Sequence, residues 1–245
     1  MGLFLRGNIT KVAIGIQART NSTRLKGKIL EKIGDKPIIN HVIDACEGAA
    51  HYVNRYTKSS GIYCQTYLLI PDNDPLKQYT YGIQVIEGSE QDVLSRYMTL
   101  LKETDAEFIV RVTSDCPLLP SFTIAKAINS AVRNDLDYVS NVDEAMRTSI
   151  DGHDVEVISK RCLEWANAEA KEKRDREHVT TIIRSDKLPA EFNVGILIGY
   201  VDLSEMKLSV DTPEDLKRAQ NNFDRVQEKI KKAELKYGRK AIHRI

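Results

Sequence analysis

Residues 12–28 of the chain have the sequence VAIGIQARTNSTRLKGK. The first five are apolar and partly β-branched, which predicts a buried strand. The loop that follows carries Arg19, Arg24 and Lys28 among small polar residues. Such a loop places cations and backbone N–H groups at the carboxyl edge of a sheet, where open α/β sheets bind nucleotides. The stretch therefore indicates a polyphosphate site, although by itself it leaves an ordinary solvated loop as an alternative.

Short apolar runs alternate with helical patterns along most of the chain. Helices are predicted after Pro37, over 89–103 and over 121–133, from apolar side chains at helical spacing. Strands are predicted at 12–16, 62–70, 83–86, 107–112, 136–140, 154–158 and 192–198. This alternation predicts an α/β fold with a mostly parallel sheet covered by helices on both faces.

The composition is that of a globular protein, with 42% hydrophobic and 29% charged residues. The net charge of +1 gives no overall field for nucleic acid, and no apolar run approaches the roughly 20 residues of a membrane span. We expect one domain over 1–245, with a leader at 1–8 and a basic tail at 238–245.

The cysteines are isolated in sequence, which argues against a zinc site or a disulfide framework. Reduced thiols fit a cytoplasmic protein. The four are Cys46, Cys64, Cys116 and Cys162. For Cys116 a buried core residue is favoured over a nucleophile.

Two aspartates follow predicted strands. Asp115 comes just after the strand at 107–112, and Asp211 ends the short apolar run that starts at Leu208. Carboxylates at such an edge can hold Mg²⁺ together with phosphate oxygens. Each is equally compatible with a helix cap or an ion pair, and the sequence does not show that the two meet.

Two helix starts are recognisable. Ser89 can cap the helix over 89–103, in which Asp92 and Arg96 share a face, either as a surface ion pair or near a nucleotide. Thr212 and Pro213 predict the N-cap and first residue of a final helix that runs to about Tyr237.

Two further segments are densely polar. Asp154 and Glu156 are predicted to face the same way from a strand. The cluster over 176–180 is predicted to be helical, and its His178 is more often a structural histidine than a catalyst.

These pieces, in this order, resemble the cytidylyltransferases that make CMP-activated acidic sugars, in particular their spore-coat polysaccharide branch. Each segment alone is weakly specific, whereas six in the same order across 12–216 are a strong signal. The segments are Gln17–Lys28, Gly88–Tyr97, Arg111–Leu118, Asp151–Val157, Arg176–Thr180 and Val210–Asp215.

The resemblance implies a nucleotide-diphospho-sugar transferase fold (GT-A-like, Rossmann-like), with a mixed, mostly parallel central sheet flanked by helices. It implies a homodimeric, Mg²⁺-dependent enzyme that transfers CMP from CTP to an acidic sugar, sugar phosphate or phosphonate. Pyrophosphate is released, and the product serves surface polysaccharide or glycoconjugate synthesis. The alternatives are a glycosyltransferase on the same fold and a nucleotide-binding protein without catalysis.

The resemblance also assigns roles. The catalytic residues would be Arg19, Arg24, Lys28 and Asp115, and the metal ligands Asp115 and Asp211. The nucleotide would contact Gln17, Ala18, Arg19, Ser22, Arg24, Lys28, Gly88, Asp92, Arg96 and Ser114. The acceptor would contact Asp151, His153, Asp154, Glu156, Arg176, Glu177 and His178. The chain departs from the family pattern at Asn21, Lys26 and His153, which stand where the family often has Gly, Pro and an apolar residue.

Overall fold

The computed structural model describes residues 9–22, 24–56, 61–79 and 82–237. The predictions made for the N-terminal leader and the basic C-terminal tail lie outside these residues.

A seven-stranded mixed sheet forms the centre, in the order β5-β4-β1-β6-β8-β7-β9. Pairing is parallel from β5 to β6 and between β7 and β9, whereas β8 is antiparallel to both of its neighbours. This confirms the predicted mostly parallel sheet. The strands are β1 (Thr10–Gln17), β4 (Ile62–Pro71), β5 (Gln84–Gly88), β6 (Phe108–Thr113), β7 (Tyr138–Ser140), β8 (Glu156–Ser159) and β9 (Val194–Ile196).

Helices cover both faces of the sheet. One apolar cluster packs α1 (Ile38–Tyr56) and α3 (Ser121–Arg133) against one face, and a second packs α2 (Val93–Thr104) and α4 (Lys160–Glu169) against the other. A third cluster packs α6 onto the small hairpin of β2 (Lys32–Ile33) and β3 (Lys36–Pro37). The helices are α1 (Ile38–Tyr56), α2 (Val93–Thr104), α3 (Ser121–Arg133), α4 (Lys160–Glu169), α5 (Lys173–His178) and α6 (Pro213–Tyr237).

Strand β1 lies in the middle of the sheet, paired with β4 on one side and β6 on the other. Gly15 lies on this strand because the Tyr97 ring packs against the backbone: a Cβ there would lie 2.7 Å from Tyr97 Cε1. The Tyr97 hydroxyl donates to the Gly15 carbonyl at 3.2 Å. This close approach holds α2 over the strand that leads into the basic loop.

The helix starts partly match the prediction. Helix α2 begins at Val93, and its N-cap is Asp92, whose Oδ1 accepts from the Ser95 N–H at 2.9 Å. The predicted cap at Ser89 is therefore wrong, because Ser89 Oγ accepts instead from the Asp92 N–H at 3.0 Å, one turn earlier. For α6 the prediction is confirmed, since Thr212 Oγ1 accepts from the Asp215 N–H at 3.2 Å.

Strands β7, β8 and β9 are shorter than or shifted from the predicted runs at 136–140, 154–158 and 192–198. The reason is that an apolar residue signals burial but not strand pairing. Phe192, for example, lies before β9 and packs its ring against Trp165 of α4. Asp154 likewise precedes β8, so it lies on a loop rather than on a strand.

Candidate active site

The basic loop after β1 is tied to the carboxyl end of β4. The Ala18 N–H donates to the Leu69 carbonyl at 3.0 Å. Asp74 accepts from the Thr20 N–H at 2.9 Å and from its hydroxyl at 3.0 Å. Gly27, with φ of 68°, closes the loop by donating to the Thr20 carbonyl at 3.1 Å. The loop is therefore held at the edge of the sheet.

Lys28 lies between the two predicted metal ligands. Its Nζ donates to Asp115 Oδ2 at 3.2 Å, to Asp211 Oδ1 at 3.0 Å and to the Val210 carbonyl at 2.9 Å. Arg24 Nη2 reaches the same Asp211 oxygen at 2.8 Å. The fold thus brings together the two carboxylates and two of the three loop cations.

The backbone fixes this arrangement. The Val210 N–H donates to the Asp115 carbonyl at 2.9 Å, which joins the two aspartate segments directly. Asp215 Oδ2 accepts from the Asp211 and Thr212 N–H groups, both at 3.1 Å, and so holds the turn that carries Asp211. Burial raises the pKa of Asp115, but the Lys28 charge and the hydrogen bonds from Thr113 and Lys28 outweigh it and hold that pKa below its usual range.

A cavity of about 180 Å³ opens over this junction. It runs from the contact of Lys28 with Asp115 and Asp211, near the carboxyl end of β6, to the buried Arg96 on α2. Its lining brings together most of the predicted nucleotide residues and both predicted metal ligands. The residues are Gln17, Ala18, Arg19, Ser22, Arg24, Lys28, Glu90, Val93, Arg96, Thr113, Ser114, Asp115, Glu177, His178 and Asp211.

Asp92 and Arg176 do not line this cavity but support its wall. Arg176 holds Asp92 with two hydrogen bonds, Nε to Oδ1 at 3.0 Å and Nη2 to Oδ2 at 2.7 Å. The interpretation of Asp92 and Arg96 as a surface ion pair is therefore wrong. Asp92 pairs with Arg176 of α5, and Arg96 is buried. Gly88 also lies outside the lining, and a Cβ on it would meet Arg96 Cγ at 2.9 Å.

Helix α5 ends in a strained turn beside the cavity. Val179 has φ of 61° and ψ of −57°, and the Thr180 N–H donates to the His178 carbonyl at 2.6 Å. This is a γ-turn of the rare positive-φ type, which is unfavourable for a β-branched residue. The buried Val179 side chain holds the turn in place, so Glu177 and His178 are presented to the cavity from a fixed helix end.

A second cavity of about 260 Å³ adjoins the first and shares Thr113 with it. It lies at the other side of β6, over β7 and β8. Arginine and carboxylate side chains dominate its wall. It is lined by Arg111, Thr113, Val142, Glu144, Arg147, Asp154, Glu156 and Arg184.

Ion pairs build the second cavity. Arg111 contacts the buried Glu156, and Arg147 Nη2 donates to Asp154 Oδ1 at 2.6 Å. Burial raises the pKa of Glu156, but the charge of Arg111, the hydrogen bonds from Tyr138 and Thr180 and the charge of Arg184 together outweigh it and lower that pKa. Arg184 differs, since its guanidinium makes no hydrogen bond or ion pair with any residue in the described part of the chain.

Asp151 and His153 line neither cavity. The Asp151 backbone bonds to the segment that leads to Asp211, with the Leu208 N–H donating to its carbonyl at 2.6 Å. Burial lowers the pKa of His153 to about 4, so the imidazole is neutral near pH 7. Neither residue therefore opens into these two cavities, although Asp151 lies 4.0 Å from the Arg147 guanidinium that lines the second one.

Several lining or anchoring residues escaped sequence reasoning. Asp74 follows a strand just as Asp115 does, so the same pattern could have found it. Arg147 and Arg184 lie in irregular segments without a periodic or spacing signal.

Cys116 is buried and burial raises its pKa well above the ordinary value, so the core interpretation is confirmed. Among the described residues, no helix is long and apolar enough to span a membrane.

Asp154 gives a pH-dependent stability. Burial raises its pKa from 3.8 to about 6, against the opposing effect of Arg147. The folded protein therefore holds a proton here that the unfolded chain has lost, and stability falls as the pH rises from about 4 to 6. We expect Asp154→Asn to remove this fall.

The measurement is the melting temperature of wild type and Asp154→Asn between pH 4 and pH 7, with Asp186→Asn, on the exposed surface, as the control. The melting temperature of Asp154→Asn should rise relative to that of the wild type as the pH increases. A difference that stays constant over this range would show that Asp154 titrates normally.

Known proteins resemble this chain over most of its length. An uncharacterized protein of Methanocaldococcus jannaschii is 34% identical over 85% of this chain and 83% of its own length. The spore coat polysaccharide biosynthesis protein SpsF of Bacillus subtilis is 26% identical over 82% and 81%. The 3-deoxy-manno-octulosonate cytidylyltransferase of Cellvibrio japonicus is 24% identical over 74% and 71%.

The fold is shared with a solved cytidylyltransferase structure from Leptospira borgpetersenii, with a TM-score of 0.76 and 24% identity over 91% of this chain and 94% of that one. This confirms the nucleotide-sugar transferase-like architecture expected from the resemblance. The cytidylyltransferase family model matches residues 13–237, which include the basic loop and both aspartates. The chain therefore belongs to the cytidylyltransferase family.

Proposed function

We propose that this protein transfers CMP from CTP to an acidic acceptor, a sugar acid, sugar phosphate or phosphonate, for surface polysaccharide or glycoconjugate synthesis. The observation that carries the proposal is the meeting of Lys28 with Asp115 and Asp211 in the wall of the first cavity. An acceptor oxygen would form a bond to the α-phosphorus of CTP. The bond from that phosphorus to the bridging oxygen would break, and pyrophosphate would leave.

Asp115 and Asp211 suit a divalent cation. Both side chains are partly exposed to the first cavity, at 28% and 18%, and both contact the same ammonium group, so their oxygens lie close enough to share a cation. No cluster of three or more potential ligands occurs among the described residues. Two carboxylates fit Mg²⁺, which usually completes its octahedron with phosphate oxygens and water. When bound, Mg²⁺ would neutralise phosphate charge and ease deprotonation of the acceptor hydroxyl.

The loop cations would bind the triphosphate. Arg19, Arg24 and Lys28 all line the first cavity. In the free protein Arg24 and Lys28 are engaged with Asp211, so nucleotide binding would exchange a carboxylate partner for phosphate oxygens. Fixed cations around a leaving group stabilise the charge that develops on it. We propose this charge stabilisation as their catalytic role.

The second cavity is the proposed acceptor site. It shares Thr113 with the first cavity, so a ligand there would lie close to the nucleotide that we propose for the first cavity. Its ion pairs offer hydrogen-bond donors and acceptors for hydroxyl groups. The guanidinium of Arg184, whose charge acts on Glu156, makes no hydrogen bond or ion pair with a described residue. An anionic group on the acceptor would complete that pairing. The cytidylyltransferase relative from Cellvibrio is named for an acidic sugar, which supports the same acceptor class.

Arg184→Met should raise the KM for the acceptor by about tenfold, because a charge-assisted hydrogen bond is worth roughly 1.5–3 kcal/mol. The KM for CTP should stay within about twofold, since Arg184 does not line the first cavity. Steady-state pyrophosphate release with each substrate varied in turn measures both constants.

The matched control for Arg184→Met is Lys187→Met, an exposed cation three residues away. It should change neither constant. An equal rise in both Michaelis constants for Arg184→Met would contradict the placement of the acceptor.

The homodimer stays a prediction. Exposed apolar side chains on and after β9 offer a surface for it, and Tyr200 and Val201 are the most exposed of them.

The function itself is tested by a screen for pyrophosphate release. The four nucleoside triphosphates are each combined with Mg²⁺ and a panel of acidic sugars, sugar phosphates, phosphonates and neutral sugars. We expect release with CTP and one acidic class only. Transfer from a nucleotide sugar without pyrophosphate, or binding of CTP without turnover on any acceptor, would contradict the proposal.

A further inference from the structure

The two aspartates of the first cavity are held in different ways. Asp115 lies two residues after β6 of the central sheet. Asp211 instead lies in the irregular segment 208–212, between an isolated β-bridge at Lys207 and the start of α6. The position of Asp211 relative to Asp115 therefore depends on what packs against this irregular segment.

Asp151 bonds to the irregular segment through its backbone. Its carbonyl accepts from the Leu208 N–H at 2.6 Å and from the Ser209 N–H at 3.1 Å. Its own N–H donates to the Met206 carbonyl at 2.9 Å. All three bonds join main-chain atoms, so they fix the backbone just before the second carboxylate without using the Asp151 side chain.

Gly152 brings the two backbones closer than another residue would allow. Its φ of 105° lies in the region that favours glycine. A Cβ at this position would lie 2.4 Å from the Ser209 nitrogen and 2.7 Å from the Leu208 carbonyl carbon. Backbone atoms cannot rotate away as the end of a side chain can. A side chain on residue 152 would therefore push the irregular segment away from residues 150–153, which we call the Gly152 loop.

The Gly152 loop also reaches the segment that follows β6 and carries the first carboxylate. Burial lowers the pKa of His153, and a hydrogen bond with the Leu118 backbone opposes that effect. Asn141, which is 4% exposed, anchors the end of the loop. Its Nδ2 donates to the His153 carbonyl at 2.7 Å, and its Oδ1 accepts from the Val155 N–H at 2.9 Å. The loop therefore contacts both segments that carry the aspartates.

We propose that the Gly152 loop is a positioning element, which sets the separation of Asp115 and Asp211 for a shared divalent cation. The proposal rests on the function proposed above and adds residues that act without touching a substrate. It also gives a role to Asp151 and His153, which line neither of the two cavities. Mg²⁺ demands near-ideal ligand geometry, and residues that orient metal ligands strongly affect metal affinity.

The test is Gly152→Ala, with cation binding as the readout. Electron paramagnetic resonance measures the affinity of Mn²⁺, in place of Mg²⁺, for the protein with CTP and without an acceptor. We expect the variant to bind Mn²⁺ at least about tenfold more weakly than the wild type. The Mg²⁺ concentration that gives half the maximal rate of pyrophosphate release should rise by a similar factor.

The matched control is Gly82→Ala. Gly82 also has a positive φ, of 87°, but a Cβ there would meet no atom of the described residues within 4 Å beyond its chain neighbours. The control therefore carries the same kind of backbone strain without displacing a neighbouring segment. It should match the wild type in Mn²⁺ affinity and in Mg²⁺ dependence.

A second variant decides the question if Gly152→Ala does not fold. Asn141→Ser removes the anchor of the Gly152 loop without placing an atom against Ser209. The loss of these hydrogen bonds should weaken Mn²⁺ binding in the same direction, by about threefold or more.

Two results would overturn the inference alone. One is an unchanged Mn²⁺ affinity in folded Gly152→Ala, or in Asn141→Ser if the first variant does not fold. The other is a lower melting temperature with an unchanged Mg²⁺ dependence, which would make the loop purely structural. A wild type that binds Mn²⁺ with CTP no more tightly than Asp115→Asn does would instead remove the proposed metal site, and the inference with it.

Discussion

Asp115→Asn is expected to lower the rate of pyrophosphate release by about a thousandfold or more, because it removes one of the two carboxylates that we propose to hold Mg²⁺ at the reacting phosphate. The amide keeps the size of the side chain and one oxygen that can accept from Lys28 Nζ. Lys28 would also keep Asp211 and the Val210 carbonyl. The fold should therefore persist, and the loss should appear in kcat. The assay is pyrophosphate release at saturating CTP and acceptor.

A metal-binding readout separates this role from a purely structural one. With Mn²⁺ in place of Mg²⁺, electron paramagnetic resonance counts the bound cation directly. We expect Asp115→Asn to bind Mn²⁺ with CTP much more weakly than the wild type, and Asp186→Asn to match the wild type. Turnover near the wild-type level in Asp115→Asn would refute the assigned role of this residue.

The sequence was sufficient for the centre of the fold. Strand β1 is buried on both faces between two parallel neighbours, and such strands appear as continuous apolar runs. The run at 12–16 therefore predicted both a strand and its central place. The loop after it was also predictable, because a change from β-branched to small, polar and basic residues marks the end of a strand.

The meeting of Asp115 with Asp211 was not predictable from pattern. It depends on one backbone hydrogen bond between Val210 and Asp115, across 95 positions of sequence, and on the turn held by Asp215. Helical spacing placed Asp92 and Arg96 on one face but did not show which neighbours lie there. In the structure Arg176 takes Asp92, while α2 turns Arg96 toward the end of β4. Tertiary packing, which periodicity does not encode, decides such partners.

Lys28→Met is expected to have two opposite effects, because Lys28 serves as the counter-ion of the aspartates in the free protein and would serve as a phosphate ligand in the complex. The side chains of Lys28, Asp115 and Asp211 are only 12%, 28% and 18% exposed. Without the ammonium group, two partly buried carboxylates would face each other with Arg24 as the neighbouring cation on Asp211. Like charges at such a site repel and favour binding of a cation.

We therefore expect free Lys28→Met to melt at a lower temperature than the wild type, and added Mg²⁺ to raise that temperature more than it does for the wild type. Mn²⁺ should bind the free variant more tightly than the free wild type. Catalysis should nevertheless fall by two to three orders of magnitude, roughly the loss seen when one preorganised charge-stabilising donor is removed. Lys102→Met, on the exposed end of α2, should behave as the wild type in all three measurements. Tighter cation binding together with lost turnover distinguishes a phosphate ligand from a residue that only holds the fold, because a structural lysine would lose both.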